Sequence, residues 1–309
     1  MNEEKYTGDG VSGTPITCGP FGHDFSGLAA ELSTLAGERP VFVPGTGNAG
    51  DSLLNFGAYC LFRDMGLDFE EGVATGTYPG RTVIYGGGGN LVEPYPNARN
   101  FIKRNRLVCA RMYILPSTVR AYRDVLAADG APLTVFVRER PSYEYLAAAL
   151  EPATLRLSHD MAFYLDSSRH LHGVAALGFE LSPTAIRRSA VRLLRLGRLK
   201  RHSVRVRTLD AFREDLESCQ VETPTSNFDL SQLLAADDMR EISCARTAKS
   251  IFLSLSMFEA VRTDRLHVGI ACLLTKTKVE LYDNNYGKNS SVFERSIDGY
   301  FGSIRMECR

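Results

Sequence analysis

Five short apolar runs in the first half of the chain, each followed at once by glycine or polar residues, constrain the fold most strongly. Short apolar runs bounded by turn residues are typical of buried strands. The segment 52–65 instead has helical periodicity, with Leu53, Leu54, Leu61 and Phe62 on one side. Strands that alternate with helices predict an α/β fold with a parallel sheet. The predicted strands lie at 41–43, 81–85, 112–115, 133–137 and 155–157.

The turns after these strands carry the residues expected at a ligand site. The carboxyl ends of parallel strands share one edge of a sheet, where open α/β sheets bind ligands. Residues 45–51 are rich in glycine, and four consecutive glycines at 86–89 precede Asn90. Glycine lets a ligand approach the backbone closely, although a tight turn against a neighbouring strand explains the same run.

Length and composition place the chain among globular proteins. Its 309 residues are enough for two domains with separate cores. Basic and acidic residues are equal in number, 36 of each, so no overall charge favours nucleic acid. Seven scattered cysteines without a CxxC pair favour a reducing compartment, and the dispersed histidines predict no metal site. We expect neither a signal peptide nor a transmembrane helix.

The stretch 261–288 reads as a strand, a helix, a second strand at 278–282 and a polar loop. Thr263 and Asp264 stand where a helix N-cap is expected, so Arg265 and His267 fall in the first helical turn. Free N–H groups and the helix dipole favour an anion there. The dipole also disfavours protonation of a histidine, which suits His267 to act as a base near neutral pH. A capped helix with two surface side chains is the simpler alternative.

A dinucleotide site is a further alternative for the first glycine-rich turn. Gly45, Gly47 and Gly50 satisfy the GxGxxG pattern, and Glu70 lies at a suitable distance for a ribose-binding acid. Asp51 argues against this interpretation, because its carboxylate would stand at the helix start, where a pyrophosphate has to bind.

Residues 187–207 carry nine Lys or Arg and no acid, with Val191, Leu194 and Leu199 between them. A solvated basic helix or linker explains this composition. The apolar residues also fit a surface that meets anionic lipid headgroups through reversible, salt-sensitive contacts. Since no nucleic-acid-binding motif accompanies the run, we expect no nucleic-acid partner.

Eight motifs stand in order along the chain and together cover most of it. They are GTGNAGDSLL (45–54), GGGGNL (86–91), ILPST (114–118), VRERPSYEYL (137–146), SHDMAFYL (158–165), SNFDLS (226–231), RTDRLHVGIACLL (262–274) and YDNNYGK (282–288). This ordered set resembles the polysaccharide pyruvyl transferase family. The sequence departs from many relatives in ILPST, where they carry Gln before the Ser.

The resemblance implies an α/β fold of two facing Rossmann-like domains with a cleft between them, similar to the GT-B arrangement of many glycosyltransferases. We assign residues 1–170 to an N-terminal Rossmann-like domain on the acceptor side and 171–202 to a basic linker or helix. Residues 203–290 then form a C-terminal Rossmann-like domain on the donor side, and its first strand is predicted at 204–207. The segment 291–309 is expected to form a helix that crosses back onto the first domain; the residue pattern reads as helix over 290–301.

The resemblance also implies transfer of the enolpyruvyl unit of phosphoenolpyruvate onto a sugar of a cell-surface glycan precursor. The unit closes as a cyclic ketal and phosphate is released. Phosphoenolpyruvate is the donor substrate, and no cofactor is expected. We expect a lipid-diphosphate-linked oligosaccharide as acceptor, and a cytoplasmic enzyme at the inner face of the membrane. A GT-B glycosyltransferase with a nucleotide-sugar donor and a non-catalytic sugar-binding module are the alternatives.

A doubly anionic donor requires fixed cations, and arginine holds a carboxylate or phosphate through two parallel hydrogen bonds. The family's Arg-Leu-His motif falls on Arg265, Leu266 and His267, which assigns the anion to Arg265 and proton transfer to His267. Asp51 joins the predicted catalytic residues, with a plain helix cap as its alternative. The predicted substrate-binding residues are Asn48, Gly87, Gly88, Gly89, Asn90, Arg138, Arg140, Ser142, Asp264, Asn285 and Lys288. Sequence alone does not distinguish Arg138 from Arg140 as the anion clamp.

Overall fold

Short strands alternate with helices in the computed structural model, which describes residues 17–18, 22–176, 183–218, 224–236, 238–297 and 305–307. The strands are β1 (Thr17–Cys18), β2 (His23–Asp24), β3 (Val41–Val43), β4 (Glu70–Glu71), β5 (Thr82–Tyr85), β6 (Gly88–Leu91), β7 (Arg111–Val119), β8 (Leu133–Val137), β9 (Leu155–Leu157), β10 (Thr208–Asp210), β11 (Ala260–Thr263), β12 (Lys278–Tyr282) and β13 (Arg305–Glu307). The α-helices are α1 (Ser26–Ser33), α2 (Ala49–Met65), α3 (Pro96–Asn105), α4 (Arg123–Ala127), α5 (Arg140–Ala147), α6 (Ser167–His170), α7 (Pro183–Ser203), α8 (Leu230–Leu233), α9 (Glu241–Leu255), α10 (Leu266–Leu274) and α11 (Lys288–Ser296). Two 3-10 helices cover Pro152–Thr154 and Met161–Tyr164.

Seven of the described strands form the larger sheet, in the order β4-β3-β5-β7-β8-β9, with β6 paired to the end of β7. All neighbouring strands in it are parallel. The strands predicted at 41–43, 133–137 and 155–157 are confirmed with their bounds. Strand β7 is longer than predicted because it continues past Pro116. Since proline donates no hydrogen bond, the pairing of β7 with β8 shifts register between Ile114 and Ser117.

Four further strands form a second parallel sheet, in the order β10-β11-β12-β13. The strand predicted at 278–282 is confirmed as β12. The strand predicted at 204–207 is wrong, because α7 runs to Ser203 and β10 begins at Thr208. The backbone N–H groups of Arg205 and Val206 donate to the carbonyl oxygen of His202, which completes the end of the helix. The α/β class with parallel sheets is thus confirmed.

One apolar cluster joins side chains of both sheets to the helices α2, α9 and α10. Helix α2 follows β3 of the larger sheet, whereas α10 follows β11 of the second sheet. Both helices pack against α9 and against each other. This packing brings the first turns of α2 and α10 together at the carboxyl edges of the two sheets.

The last described helix, α11, returns to the first half of the chain. Its Arg295 Nε donates to the carbonyl oxygen of Ser158 at 3.3 Å. The helix predicted at 290–301 is observed from Lys288 to Ser296, and residues 298–301 lie outside the described part. None of the described helices combines the length and the apolar composition of a membrane span.

Candidate active site

A cleft of about 310 Å³ is lined by residues that follow strands of both sheets. The first turns of α2, α10 and α11 contribute to its walls. The volume suits a small ligand, and the lining carries both basic and acidic side chains. The predicted site residues in the lining are Asn48, Asp51, Gly89, Asn90, Arg138, Arg265, His267 and Lys288.

Side-chain hydrogen bonds fix the loop before α2 and bring Asn48 and Asp51 to the cleft. Asn48 is the N-cap, because its Oδ1 accepts from the Gly50 N–H at 2.8 Å. Asp51 Oδ2 accepts in return from the Asn48 N–H at 2.8 Å, which completes a capping box. Burial raises the pKa of Asp51 above its ordinary value, against the opposing effect of nearby His267. Because α2 begins at Ala49, Asp51 is the third helical residue, and Asn48 is the cap.

His267, Asp160 and Arg138 form a contact cluster in the cleft. His267 Nε2 lies 3.3 Å from Asp160 Oδ2 and 3.4 Å from Arg138 Nη1. Arg138 Nη1 donates to the same Asp160 oxygen at 2.5 Å, and its Nε donates to Thr118 Oγ1 at 2.9 Å. Burial raises the pKa of Asp160, but His267 and Arg138 outweigh burial and hold that pKa well below its ordinary value. Asp160 therefore stays ionised and orients the imidazole with Nε2 as the donor.

Gly50 permits the close approach of His267 to α2. A Cβ on Gly50 would lie 2.5 Å from His267 Nδ1 and 3.1 Å from His267 Cβ. Real side chains do not tolerate such a separation, so a larger residue at position 50 must displace the histidine or the helix. The contact between the two helix starts thus depends on this glycine.

The residues before α10 do not cap it as predicted. Arg265 takes the N-cap position, and the helix begins after it. Thr263 ends β11, where its Oγ1 accepts from the Arg265 N–H at 3.0 Å. Asp264 is fully buried, and its Oδ1 accepts from the backbone N–H of Arg213 at 2.8 Å. Asp264 consequently supports the wall of the cleft, while His267 remains in the first helical turn as predicted.

Arg265 and Arg213 are buried cations that carboxylates already neutralise. Arg265 Nε donates to Asp229 at 2.8 Å, and its Nη2 donates to the second oxygen of that carboxylate and lies 3.0 Å from Asp215. Arg213 pairs with Asp215 at 2.6 Å and with Glu217 at 2.9 Å. Within the described residues, Nη1 is the one nitrogen of the Arg265 guanidinium that no hydrogen bond engages.

Lys288, the first residue of α11, is buried in an ion pair with Glu217. Its Nζ donates to Glu217 Oε2 at 2.5 Å. Burial lowers the pKa of Lys288 to about 8, although the Glu217 carboxylate favours the charged form. A Cβ on Gly89 would lie 3.9 Å from Lys288 Nζ and 3.8 Å from Arg138 Nη2. Two cations from opposite halves of the chain therefore flank Gly89.

Only part of the glycine run reaches the cleft. Gly89 and Asn90 line it, and Asn90 Nδ2 donates to a carbonyl of the loop before α2 at 2.9 Å. Gly87 and Gly88 lie outside the lining, contrary to the prediction. A Cβ on Gly87 would collide with the carbonyl oxygen of Pro116 in β7, and Gly88 has a φ of +125°. These two glycines serve strand packing, which was the alternative explanation of the run.

Arg140, Ser142 and Asn285 also lie outside the cleft lining, contrary to the prediction. Arg140 is exposed in the first turn of α5. Ser142 is fully buried, where it donates to Glu139 and accepts from the Val119 N–H at 2.7 Å. Glu139 caps α5, and Ser142 does not. Asn285 is exposed and donates to a backbone carbonyl at 3.0 Å. Arg138, which directly follows β8, is thus the arginine of this motif that enters the cleft.

The prediction missed the carboxylates that hold these cations. Asp160 belongs to the SHDMAFYL motif and follows β9, so its position after a strand could have identified it. Arg213, Asp215 and Glu217 follow β10. Because the sequence analysis placed that strand at 204–207, it did not recognise these residues as the end of a strand.

Acidic side chains are paired with the cations of the cleft. Among the described residues, no group of three or more His, Cys, Asp or Glu side chains is arranged to hold a metal ion. The buried acids Asp160 and Glu217 each face basic partners, Arg138 and Lys288 respectively. These acids consequently contribute to the positioning of the cations.

Three comparisons relate this chain to known proteins. A family profile described as "Polysaccharide pyruvyl transferase" matches residues 48–286. The Bacillus subtilis (strain 168) protein named "Putative pyruvyl transferase EpsO" is 22% identical over an alignment of 296 positions, and the match covers 82% of this chain and 83% of that protein. The crystal structure of an uncharacterised protein from Klebsiella pneumoniae subsp. pneumoniae NTUH-K2044 has a TM-score of 0.72 at 23% identity. It covers 92% of this chain and 98% of its own, and this likeness shows the fold.

The family match contains most of the cleft, including Asn48, Asp51, Arg138, Asp160 and His267. It does not favour the glycosyltransferase alternative. At the glycine-rich turn of the dinucleotide alternative, the Asn48 and Gly50 N–H groups that a pyrophosphate would need are already engaged by the capping box. The chain belongs to the polysaccharide pyruvyl transferase family, and it is an enzyme that transfers pyruvyl groups to a polysaccharide.

Proposed function

We propose that this enzyme transfers the enolpyruvyl unit of phosphoenolpyruvate onto a sugar of a cell-surface glycan precursor, closes it as a cyclic ketal and releases phosphate. The pair of cations beside Gly89 carries the proposal. Arg138 Nη2 and Lys288 Nζ lie within 3.9 Å of the position that a Cβ of Gly89 would occupy. No hydrogen bond engages Arg138 Nη2 within the described residues. This geometry suits a small ligand with two adjacent anionic groups, such as the carboxylate and phosphate of phosphoenolpyruvate.

We assign to His267 the role of the base that accepts protons from the sugar hydroxyls. Because its Nε2 is directed at Asp160, the opposite nitrogen Nδ1 is left without a hydrogen-bond partner among the described residues. A carboxylate behind one imidazole nitrogen fixes the tautomer and stabilises the imidazolium that forms during reaction. Nδ1 lies beside the first turn of α2, and His267 lines the cleft in which the acceptor is proposed to bind.

We assign to Asp51 the role of the acid that donates a proton to the methylene carbon, C3, of the donor. Burial raises its pKa, which favours the protonated form required of an acid. Protonation of C3 makes C2 oxocarbenium-like, and a sugar hydroxyl attacks C2 and gives its proton to His267. The C2–O bond to phosphate then breaks, and a second hydroxyl of the same sugar attacks C2. One hydroxyl proton replaces that of Asp51 and the other leaves with phosphate, so the enzyme is regenerated.

The donor is proposed to bind at the seam between two Rossmann-like domains in a GT-B-like arrangement. Residues 1–170 would form the acceptor side and 203–290 the donor side, each around its own parallel sheet. The cations beside Gly89 support a seam position, since Arg138 comes from the first half and Lys288 from the second. Contact of Arg295 with Ser158 supports the crossing of the segment after 290 back onto the first domain.

The outward face of α7 is proposed to hold this enzyme at an anionic membrane surface on the cytoplasmic side. Leu193 and Leu194 are exposed there, as are Lys200 and Arg201. Each cation near such a surface contributes up to about 1 kcal/mol, so a few suffice for reversible, salt-sensitive binding. The acceptor is then a lipid-diphosphate-linked oligosaccharide. The side chains of residues 183–189 and of Arg192 lie outside the described part.

The proposal is tested by incubating the enzyme with phosphoenolpyruvate and a panel of sugar-diphosphate lipids and nucleotide-sugars. Release of inorganic phosphate that depends on both donor and acceptor supports it. In His267→Ala the rate should fall by roughly 10²–10⁴-fold. Release of a nucleoside phosphate without phosphoenolpyruvate would instead establish the glycosyltransferase alternative.

A further inference from the structure

A second cavity, of about 400 Å³, lies between α7 and the segment that leads into α8. Helix α7 contributes Arg195, Arg198 and His202 to its lining. The opposite wall includes Asn227 and Phe228, which belong to the SNFDLS motif. The proposed reaction leaves this basic cavity without a role.

Arg195 and Arg198 bring unneutralised positive charge to the cavity. Arg195 Nη1 donates to a backbone carbonyl at 3.4 Å, and within the described residues neither guanidinium pairs with a carboxylate. Two acids lie in the same lining. Asp229 is engaged by Arg265, and the exposed Glu214 accepts from Asn227 Nδ2 at 3.1 Å. The two free guanidiniums therefore exceed the one acid that no cation neutralises.

The basic residues of α7 fall into two groups, one that lines the cavity and one that does not. With 3.6 residues per turn, positions 195, 198 and 202 share one side of the helix with the buried Leu199. Lys200 and Arg201 are exposed and do not line the cavity. The basic run thus places one group of cations beside the open cavity and a second group away from it.

A thin wall divides this cavity from the catalytic cleft. Helix α8 has only four residues, and its Gln232 lines both spaces. Asp229 lines the second cavity, while its carboxylate holds Arg265 of the catalytic cleft. A ligand that fills the cavity is therefore adjacent to the catalytic residues.

We propose that this cavity binds the phosphate or diphosphate group that carries the acceptor sugar, so that the sugar reaches the catalytic cleft beside α8. The inference rests on the proposed function, which requires such an acceptor. Arg195 and Arg198 supply charge-assisted hydrogen bonds to phosphate oxygens, and the hydroxyl of Ser226 adds a neutral donor. A polyprenyl diphosphate and a nucleoside diphosphate present the same anion to these groups.

The test is the binding of inorganic pyrophosphate to the full chain, measured by calorimetry without donor or acceptor. Wild type is compared with the double variant Arg195→Gln/Arg198→Gln and with the matched control Lys200→Gln/Arg201→Gln. We expect binding to weaken at least about tenfold in the cavity variant and to stay unchanged in the control. Arg198→Gln alone serves as a second cavity variant, because Arg195 also contacts the backbone of α8.

Absence of pyrophosphate binding to wild type overturns the inference. Equal weakening in the cavity variants and the control also overturns it, since the effect would then come from overall charge. Unchanged binding in the cavity variants places the anion in the catalytic cleft and overturns it as well. If the cavity binds pyrophosphate, the same titration with a nucleoside diphosphate and with a short polyprenyl diphosphate identifies the carrier by the tighter affinity.

Failure of this inference and failure of the proposed function give different results. Pyrophosphate binding at the cavity without any consumption of phosphoenolpyruvate contradicts the proposed function alone. Turnover of phosphoenolpyruvate with an unchanged acceptor KM in Arg198→Gln contradicts the cavity inference alone.

Discussion

Gly50→Ala tests whether the contact between α2 and α10 positions His267 for catalysis. The new Cβ would lie 2.5 Å from His267 Nδ1, whereas ordinary contacts begin at 3.4 Å. The imidazole must therefore move by about 1 Å, or the two helix starts must separate. Either movement disturbs the Nε2 contact with Asp160, which is 3.3 Å long in the native structure.

The expected effect on turnover is much larger than the effect on stability. A misplacement of about 1 Å at a catalytic group costs on the order of 10²-fold in rate. Replacement of a helical glycine by alanine stabilises by up to about 1 kcal/mol, and overpacking costs about 1–3 kcal/mol. We expect Gly50→Ala to fold with a small change in Tm and to lose about 10²-fold in kcat. Thermal unfolding and phosphate release with the best acceptor measure the two quantities.

Gly197→Ala is the matched control. Gly197 is also helical, lies in α7, and has no heavy atom within 4 Å of the position of a new Cβ. This variant should gain up to about 1 kcal/mol in stability and keep its turnover. Full activity of a folded Gly50→Ala enzyme would refute the argument, because a displaced His267 could then not be the proton-transfer group.

Three further predictions follow from the same geometry. Asp160→Asn leaves Arg138 as an unpaired buried cation, so it should destabilise the fold by about 3–5 kcal/mol as well as slow turnover; an unchanged Tm would contradict the buried pair. Lys288 loses its proton and charge as the pH rises through about 8, so the KM for phosphoenolpyruvate should rise there and be high and flat in Lys288→Gln; a flat wild-type profile would contradict the clamp. Wild type should co-sediment with anionic vesicles at low salt only, and Lys200→Glu/Arg201→Glu should not; equal binding to neutral vesicles would contradict docking through the outward face of α7.

Short apolar runs followed by glycine or polar residues predicted the positions of most strands of the larger sheet. Strands that are buried on both faces consist almost entirely of apolar residues, which is why 41–43 and 133–137 were predicted with their bounds. Anion binding at the start of α10 stays a prediction, and the cap on which it rested is Arg265 instead of Thr263 or Asp264. The strand predicted at 204–207 rested on the alternating Val204 and Val206. Alternating valines also fit the end of a helix, where the N–H groups of Arg205 and Val206 bond to His202.

The catalytic cluster could not be predicted from local patterns. Asp160 and His267 are 107 positions apart, and Arg138 and His267 are 129 apart. Their meeting depends on the packing of α2 against α10, which side-chain periodicity does not specify. Motif resemblance identified Arg265 and His267, but the acids that neutralise Arg265 became visible only in the folded chain. The choice of Arg138 over Arg140 likewise required the folded chain, in which Arg138 is buried at the cleft and Arg140 is exposed.

The most direct test of the account follows the fate of phosphoenolpyruvate labelled with ¹³C at C2. The enzyme and its acceptor are incubated with the labelled donor, and the product is examined by carbon NMR together with a phosphate assay. The account predicts a quaternary ketal carbon bonded to two oxygens of one sugar, with one phosphate released for each ketal formed. Labelled free pyruvate as the product, or glycan modification without loss of phosphoenolpyruvate, would contradict it.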